Sequence, residues 1–334
     1  MKVLVTGSAG FIGFWLTRSL GIKGIETVGI DNINSYYDPA YKLRRLAENG
    51  IPKKGALSGK IIRSDKYRSL SFLRMDIADH EGIMCLMEQE RPTHVVNLAA
   101  QPGVRYSIDH PFDYIHSNID GFVSMLEGIR KYPVEHFVYA SSSSVYGVNS
   151  KIPFSETDAV EQPESLYAAT KRSDELIAHV YNRLYGIRAT GLRFFTVYGP
   201  WGRPDMAPML FADAIMKGNP IKVFNHGDMR RDFTYIADIV QGIEKVLFSP
   251  PGTEKQPVYN IGHGSPVKLM EFIGNLEQIL GKEAKKEYLP MQPGDVPITY
   301  ADVKSLKRDF GYEAKTPLGD GLREFAEWLA KERQ

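Results

Sequence analysis

The sequence predicts an α/β protein, a doubly wound parallel sheet with a smaller C-terminal α/β lobe interleaved with it. Three observations carry this expectation. Apolar, β-branched runs of strand length alternate with helical patterns through the first half, the rhythm of a parallel sheet covered on both faces. Gly, Pro, Asp or Asn bound those runs, which punctuates them as strands. After about Thr196 the rhythm breaks into Pro- and Gly-rich loops, short strands and several helices.

Taken in order, Lys2–Thr6 reads as the first strand and Phe11–Lys23 as the helix after it. Glu26–Ile30, Ser71–Met75, Thr93–Leu98 and Glu135–Ala140 read as strands two to five. Leu166–Tyr185 is a long helix and Ala189–Phe194 a sixth strand. The stretch Asn32–Leu70 is longer than an ordinary connection and holds a helix over Tyr41–Glu48. Its cations Lys42, Arg44, Arg45, Lys53, Lys54, Lys60, Arg63, Lys66 and Arg68 stand against Glu48 and Asp65, so it is expected as a solvated surface excursion. Beyond Thr196, short strands are expected at Ile221–Phe224, Asp232–Tyr235 and Val258–Ile261. The division implied is 1–195 as one domain, with elements from about 236–262 joining its sheet, and 196–334 as mainly a second lobe. Loops joining the lobes over strand C-termini would form a cleft.

The chain has 334 residues, 43% hydrophobic and 24% charged, enough for a large core. Its formal net charge of +1 gives no electrostatic reason for a nucleic-acid or membrane partner. The lone cysteine, Cys85, sits in a helix-like stretch and is expected to be a buried, inert thiol. The first residues run directly into a strand, and no apolar run reaches bilayer length. A cytoplasmic protein is expected. The His and Met residues show no metal-ligand spacing, and no metal is expected.

Strand one ends in Gly7-Ser8-Ala9-Gly10-Phe11-Ile12-Gly13 and opens into a helix. Glycines there let the backbone turn tightly and approach a pyrophosphate, which then sits on the helix N-terminus. Eighteen residues after Gly13, strand two closes on Asp31. A carboxylate at that place accepts both adenosine ribose hydroxyls and repels a 2′-phosphate, so the cofactor expected is NAD rather than NADP. Asp76, after strand three, is placed to meet an adenine amino group. Leu98, Ala99 and Ala100 end strand four with small residues that admit a flat cofactor.

Tyr167 and Lys171, in the run Tyr-Ala-Ala-Thr-Lys, lie one helical turn apart on one face. The serine run Ser141–Ser144 closes strand five, and a hydroxyl from it can share a substrate oxygen with Tyr167. Lys171 and the positive charge of an oxidised nicotinamide both favour tyrosinate. Tyr167 then serves as a general base at neutral pH, suited to removing a hydroxyl proton while hydride leaves the same carbon.

On Gly7–Gly13, Asp31, Ser142, Tyr167 and Lys171, the chain resembles the extended short-chain dehydrogenase/reductase superfamily over nearly its whole length. The resemblance implies a Rossmann-type domain holding NAD, a C-terminal lobe for a sugar nucleotide, and a homodimer. The catalytic hydroxyl falls on Ser142, four before Tyr146, with Ser143 its nearest alternative. The same resemblance adds Asn32, Ile77, Gln101, Asn118 and Phe194 to the cofactor contacts, beside Phe11, Ile12, Tyr167 and Lys171.

Within that superfamily, Ser143 and Ser144 stand where 4,6-dehydratases carry an acidic pair, which argues against elimination. Thr196 stands where UDP-galactose 4-epimerases have asparagine. The runs Trp201–Met206, Gln101–Ser107 and Val223–Gly227 resemble UDP-glucuronate 4-epimerases, which implies interconversion of UDP-glucuronate and UDP-galacturonate through a 4-keto sugar. A sugar acid needs hydroxyls and a cation in its pocket. Ser142, Ser143, Ser144 and Thr196 supply the hydroxyls, Arg105 and Arg203 the candidate cations, and Met206 lies beside them. Arg231 resembles the position that grips the UDP phosphates, Val223 and Phe224 would flank uracil, and Asp295 in Gln292–Asp295 lies in the loop over the ribose. Alternatives left open are a UDP-glucuronate decarboxylase, a 4-epimerase of neutral UDP-sugars, and a non-catalytic NAD-binding regulator.

Overall fold

Eight strands form one sheet in the computed structural model, which describes residues 1–149, 151–292 and 296–332. In chain order they are β1 (Lys2–Thr6), β2 (Glu26–Asp31), β3 (Ile62–Arg63), β4 (Leu70–Arg74), β5 (His94–Asn97), β6 (His136–Ser142), β7 (Ala189–Phe194) and β8 (Val258–Ile261). Their spatial order is β3-β4-β2-β1-β5-β6-β7-β8. Every pairing is parallel except β3 with β4. Strand order reverses between β1 and β5, and the carboxyl ends of these strands open a crevice there. The expected strands appear within one or two residues of their expected ends, and the long helix spans Leu166–Tyr185 as expected.

Valine, leucine and isoleucine on the central strands are buried, as strands covered on both faces require. One core cluster gathers Val3, Val5, Leu16 and Leu20 with Ile239, Ile243 and Val246. It therefore joins the first helix, Phe11–Ile22, to the late helix Ile236–Leu247. On the other face Leu4, Val28, Ile83, Leu86, Phe122 and Phe137 pack together. Strand β8 lies 64 residues beyond the end of β7 yet pairs with it in register Val258↔Gly191 to Ile261↔Phe194. A parallel pair needs such a crossover, and this one carries the interleaving.

Smaller pairings build the cleft's far side. Thr196–Tyr198 pairs with Phe233–Tyr235, and Pro220–Val223 with Lys285–Tyr288. Among the described residues, no helix is long and apolar enough to cross a membrane.

Two expectations are corrected. Cys85 is exposed: helix His80–Glu90 buries Ile83, Leu86 and Met87, and position 85 falls on its outer face. The Asn32–Leu70 stretch is not a uniformly solvated excursion either, because Lys42 and Arg45 are buried. Arg45 has no exposed surface, and its guanidinium is met on every side. It donates to the carbonyls of Trp201 (2.7 and 3.1 Å), Gly202 (3.2 Å) and Ala9 (3.1 Å) and to the Tyr37 hydroxyl (2.7 Å). A buried cation is tolerable when its donors are satisfied in this way. The later part of the stretch matches the expectation, with Lys53, Lys54, Lys60, Arg63 and Arg68 exposed.

Candidate active site

A cavity of about 370 Å³ opens along the carboxyl edge of the sheet. At one end lies the turn Gly7–Gly13. Gly7 has φ +67°, and a Cβ there would lie 2.8 Å from the Ala99 nitrogen. A Cβ on Gly10 or Gly13 would stand 2.9 or 2.2 Å from the Gly7 carbonyl oxygen. All three positions therefore require glycine. Gly10 caps helix Phe11–Ile22 without a side-chain hydrogen bond, so first-turn N–H groups remain for an anion.

Asp31 reaches into the same end. One of its oxygens accepts from Ala9 N (3.2 Å), the other from Ile33 N (2.8 Å) and Lys42 Nζ (3.4 Å). Lys42 Nζ also donates to Asn34 Oδ1 (2.9 Å). Asn32 donates to Asp76 at 3.0 Å. Burial pushes the Asp76 carboxyl up, but bonds from Asn32, Ala78 N and His116 together hold it below its ordinary range. It stands as an anion on the cavity wall. Phe11, Ile12, Asn32, Asp76, Ile77, Leu98, Ala99, Ala100 and Phe194 all line the cavity. The glycine cradle, the uncapped helix and the Asp31 carboxylate at the end of β2 fit a dinucleotide.

Gln101 and Asn118 stand behind the wall rather than on it. Asn118 accepts from Gln101 N (2.7 Å) and donates to Gln101 O (3.2 Å) and Thr170 Oγ1 (2.9 Å). It sits on a π-helical turn, Ile115–Asp120, and ties the loop after β5 to the helix Leu166–Tyr185.

Midway along the cavity are Ser142, Ser143, Ser144, Tyr167 and Lys171. Ser142 ends β6, and its Oγ accepts from Ser144 N and donates to Ser144 Oγ, both at 3.1 Å. Tyr167 and Lys171 share the first turns of a helix whose N-cap is Ser165, accepting from Ala168 N at 3.1 Å. Tyr114 packs edge-on to Tyr167 at 6.0 Å, and its hydroxyl donates to Pro102 O at 2.7 Å. Lys171 Nζ donates to the fully buried Asp174 at 3.0 Å. Burial pushes the Asp174 carboxyl up to about 7, against the pull of Lys171. Beneath this row, Glu175 takes a two-pronged bond from Arg193 (2.8 Å each) and another from Ser141 (2.6 Å). That buried network fixes the helix to β6 and β7.

At the other end lie Thr196, Arg203 and Met206, with Tyr36 from the stretch after β2, while Tyr37 lines the wall beside Lys42 and Arg45. Four other expected contacts lie off this wall. Arg105 stands over the Phe224 ring at 5.2 Å, so these two do meet. Arg231 Nη1 donates to Arg230 O (2.9 Å) and Pro297 O (3.0 Å). Val223 is fully buried, because on strand Pro220–Val223 alternate side chains turn inward, so its side chain does not reach the wall in this structure. Asp295 lies outside the described residues. Among the described residues no His, Cys, Asp and Glu grouping could hold a metal ion.

Sequence reasoning missed Asn34, Tyr36, Tyr37 and Lys42 on the wall, as well as Asp205 behind it. The paired tyrosines between β2 and the next helix were the available signal, since two aromatics in a polar loop imply something to pack on.

Comparison with known proteins follows this geometry. Residues 3–262 match the family model described as NAD dependent epimerase/dehydratase family. UDP-glucuronate 4-epimerase 2 of Arabidopsis thaliana is 44% identical, over 98% of this chain and 75% of that protein. The crystal structure of a Bacillus cereus UDP-glucuronic acid 4-epimerase, bound to UDP-glucuronic acid and NAD, superposes with TM-score 0.87 and 32% identity. It covers 99% of this chain and all of the other. A Thermotoga maritima UDP-glucose 4-epimerase with UDP-glucose also gives 0.87, at 29% identity over the full length of both chains. With its glycine turn, serine row and tyrosine–lysine pair set along one cavity, this chain belongs to the NAD dependent epimerase/dehydratase family.

Proposed function

We propose that this protein interconverts UDP-glucuronate and UDP-galacturonate at C4, with tightly bound NAD. One observation carries the reading. The cavity that begins at Asp31 passes Tyr167, Ser143 and Ser144 and reaches Thr196 and Arg203, so a hydride-transfer row adjoins hydroxyls and a cation suited to a carboxylate. The relatives named for UDP-glucuronate support it.

In this reading Gly7, Gly10 and Gly13 hold the pyrophosphate, Asp31 and Lys42 the adenosine ribose, and Asp76 the adenine. Bound there, NAD would supply the hydride acceptor for C4 and the hydride donor for the return step. Tyr167 removes the C4 hydroxyl proton as the C4–H bond breaks, leaving a 4-keto sugar. Ser142 donates to that same oxygen, and Lys171, one helical turn from Tyr167 and held by Asp174 at 3.0 Å, orients the row. Rotation of the keto sugar presents its other face, and Tyr167 gives the proton back to the C4 oxygen as C4 is reduced. A 4-ketone beside the C5 carboxylate is a β-keto acid, prone to lose CO₂. Thr196, the serines and Arg203 restrain the carboxylate so that its C–C bond stays near the carbonyl plane, where overlap with the π system is poor.

The same reading assigns 1–195, with 236–262, to the cofactor and most of 196–334 to the UDP-sugar. It places the protein in the cytoplasm as a homodimer. Support for the dimer is an apolar stripe, Leu176, Val180 and Leu184, exposed at four-residue spacing on helix Leu166–Tyr185, and sedimentation velocity tests it.

The deciding experiment incubates the purified protein with UDP-glucuronate and follows products by proton NMR. UDP-galacturonate is the expected product. Mainly UDP-pentose would instead make the protein a decarboxylase. Equal turnover of UDP-glucose would make it a neutral-sugar epimerase.

A further inference from the structure

Arg203 does not stand alone at the sugar end. Its Nε donates to Asp205 Oδ1 at 3.0 Å, and its Nη2 donates to Asp205 Oδ2. The Tyr36 hydroxyl donates to that same Oδ2 at 2.9 Å, and the Arg203 guanidinium lies 5.8 Å from the Tyr36 ring centre. Tyr36 is itself seated, edge-on to Tyr106 at 4.9 Å. Its hydroxyl is so close to Gly103 that a Cβ there would approach to 2.7 Å. Burial and the Asp205 charge push the Tyr36 hydroxyl up to about 12, so it stays a donor at any working pH. Burial pushes the Asp205 carboxyl up, yet the Arg203 charge and the bonds from Arg203 and Tyr36 hold it below its ordinary range. Arg203 and Tyr36 line the cavity; Asp205 stands behind them.

We propose that Tyr36 and Asp205 are a positioning clamp that fixes the Arg203 fork for the carboxylate of an acidic sugar, and so set the preference for acid over neutral substrates. The proposal rests on the acid-sugar reading above. A guanidinium carries five N–H donors, and Asp205 takes the Nε–H and one on Nη2. Three remain for a ligand, in a plane already set. An arginine on a loop would otherwise lose its rotamer freedom on binding, and fixing it beforehand removes that cost. Asp205 also offsets the charge of Arg203, so the pair exerts little general pull on anions. What it offers is a planar, two-pronged partner of fixed direction, which a sugar acid uses and a hydroxymethyl group does not.

The experiment measures dissociation constants of UDP-glucuronate and UDP-glucose by titration calorimetry. It uses NAD-loaded protein carrying Tyr167→Phe, so that neither ligand turns over. Asp205→Asn and Tyr36→Phe are then added singly, with melting temperature checked in each. Asp205→Asn should weaken UDP-glucuronate by about five- to twentyfold, and Tyr36→Phe by about two- to fivefold, relative to UDP-glucose. Asp205→Glu should recover part of the loss. An unchanged ratio in both folded variants overturns the clamp. Tighter UDP-glucuronate binding in Asp205→Asn also overturns it, since Asp205 would then be a competitor. If the Tyr167→Phe protein itself shows no preference for the acid, the acid-sugar reading fails first and the clamp with it.

Discussion

At the Asp31 end of the cavity the wall centres on one short run of chain, residues 7–13, flanked by residues at the carboxyl ends of β2, β4 and β5. At the Arg203 end, Tyr36, Thr196 and Arg203 come from three separate segments spread over 168 positions of sequence. The first is held by backbone: glycine conformations, strand register and a helix start. The second is held by side chains that hydrogen-bond across loops, with Tyr36 and Arg203 meeting on Asp205, and Arg45 ties its Trp201 and Gly202 carbonyls to Ala9 of the first. A backbone-built site tolerates little change at its glycines, whereas a side-chain-built site can be retuned by single substitutions. One end suits an invariant cofactor, the other a substrate that differs among relatives.

The largest effect should fall where backbone approach is closest. Gly13→Ala places a Cβ 2.2 Å from the Gly7 carbonyl oxygen, so the turn must open. The purified variant should carry almost no NAD, as read by ultraviolet absorbance of the cofactor released on denaturation. Full NAD content would mean that the pyrophosphate lies elsewhere. Released NADP in place of NAD would remove the role given to Asp31.

Tyr167→Phe keeps the ring that packs against Tyr114 and removes the hydroxyl. Turnover should fall by more than about 10²-fold, while the dissociation constant for the UDP-sugar changes little. Turnover within a few-fold of the parent would place the base on another group.

The contrast between the two ends also explains what could be read from sequence. Gly7, Gly13, Asp31, Tyr167 and Lys171 are set by spacing along one helix or one strand-turn-helix unit, and all line the cavity. Tyr36, Lys42 and Asp205 carry no such spacing, because their neighbours are fixed by tertiary packing. Arg45 is the sharpest case. In sequence it is one cation in a basic run, and its burial follows from three carbonyls, two of them more than 150 positions away. Val223 shows the opposite case: a motif resemblance suggests a ligand contact, and strand alternation places the side chain in the core.

Arg203→Ala tests the second end directly. A charge-assisted arginine–carboxylate contact contributes roughly 1.5–3 kcal/mol, so the KM for UDP-glucuronate should rise about ten- to a hundredfold. Steady-state kinetics on UDP-glucose should show a much smaller change. Equal losses on both substrates would make Arg203 a structural residue of its loop.

The smallest change in rate, and the most informative about geometry, is expected from Thr196→Val. Thr196 begins a two-strand pairing with Phe233 and lies on the cavity wall directly after β7. Valine keeps the β-branched shape that suits a strand, so the backbone pairing should persist and the melting temperature should hardly move. What disappears is one hydroxyl toward the carboxylate. If that hydroxyl helps keep the C5–carboxylate bond near the plane of the C4 carbonyl, its loss should let the bond swing toward overlap with the π system. The turnover number should then fall only a few-fold, since one neutral hydrogen bond contributes about 1 kcal/mol. Proton NMR should nevertheless reveal a UDP-pentose growing beside UDP-galacturonate, with CO₂ released in equal amount. A variant that slows without any pentose would show that Arg203 and the serines alone restrain the carboxylate, and that Thr196 contributes binding but not orientation.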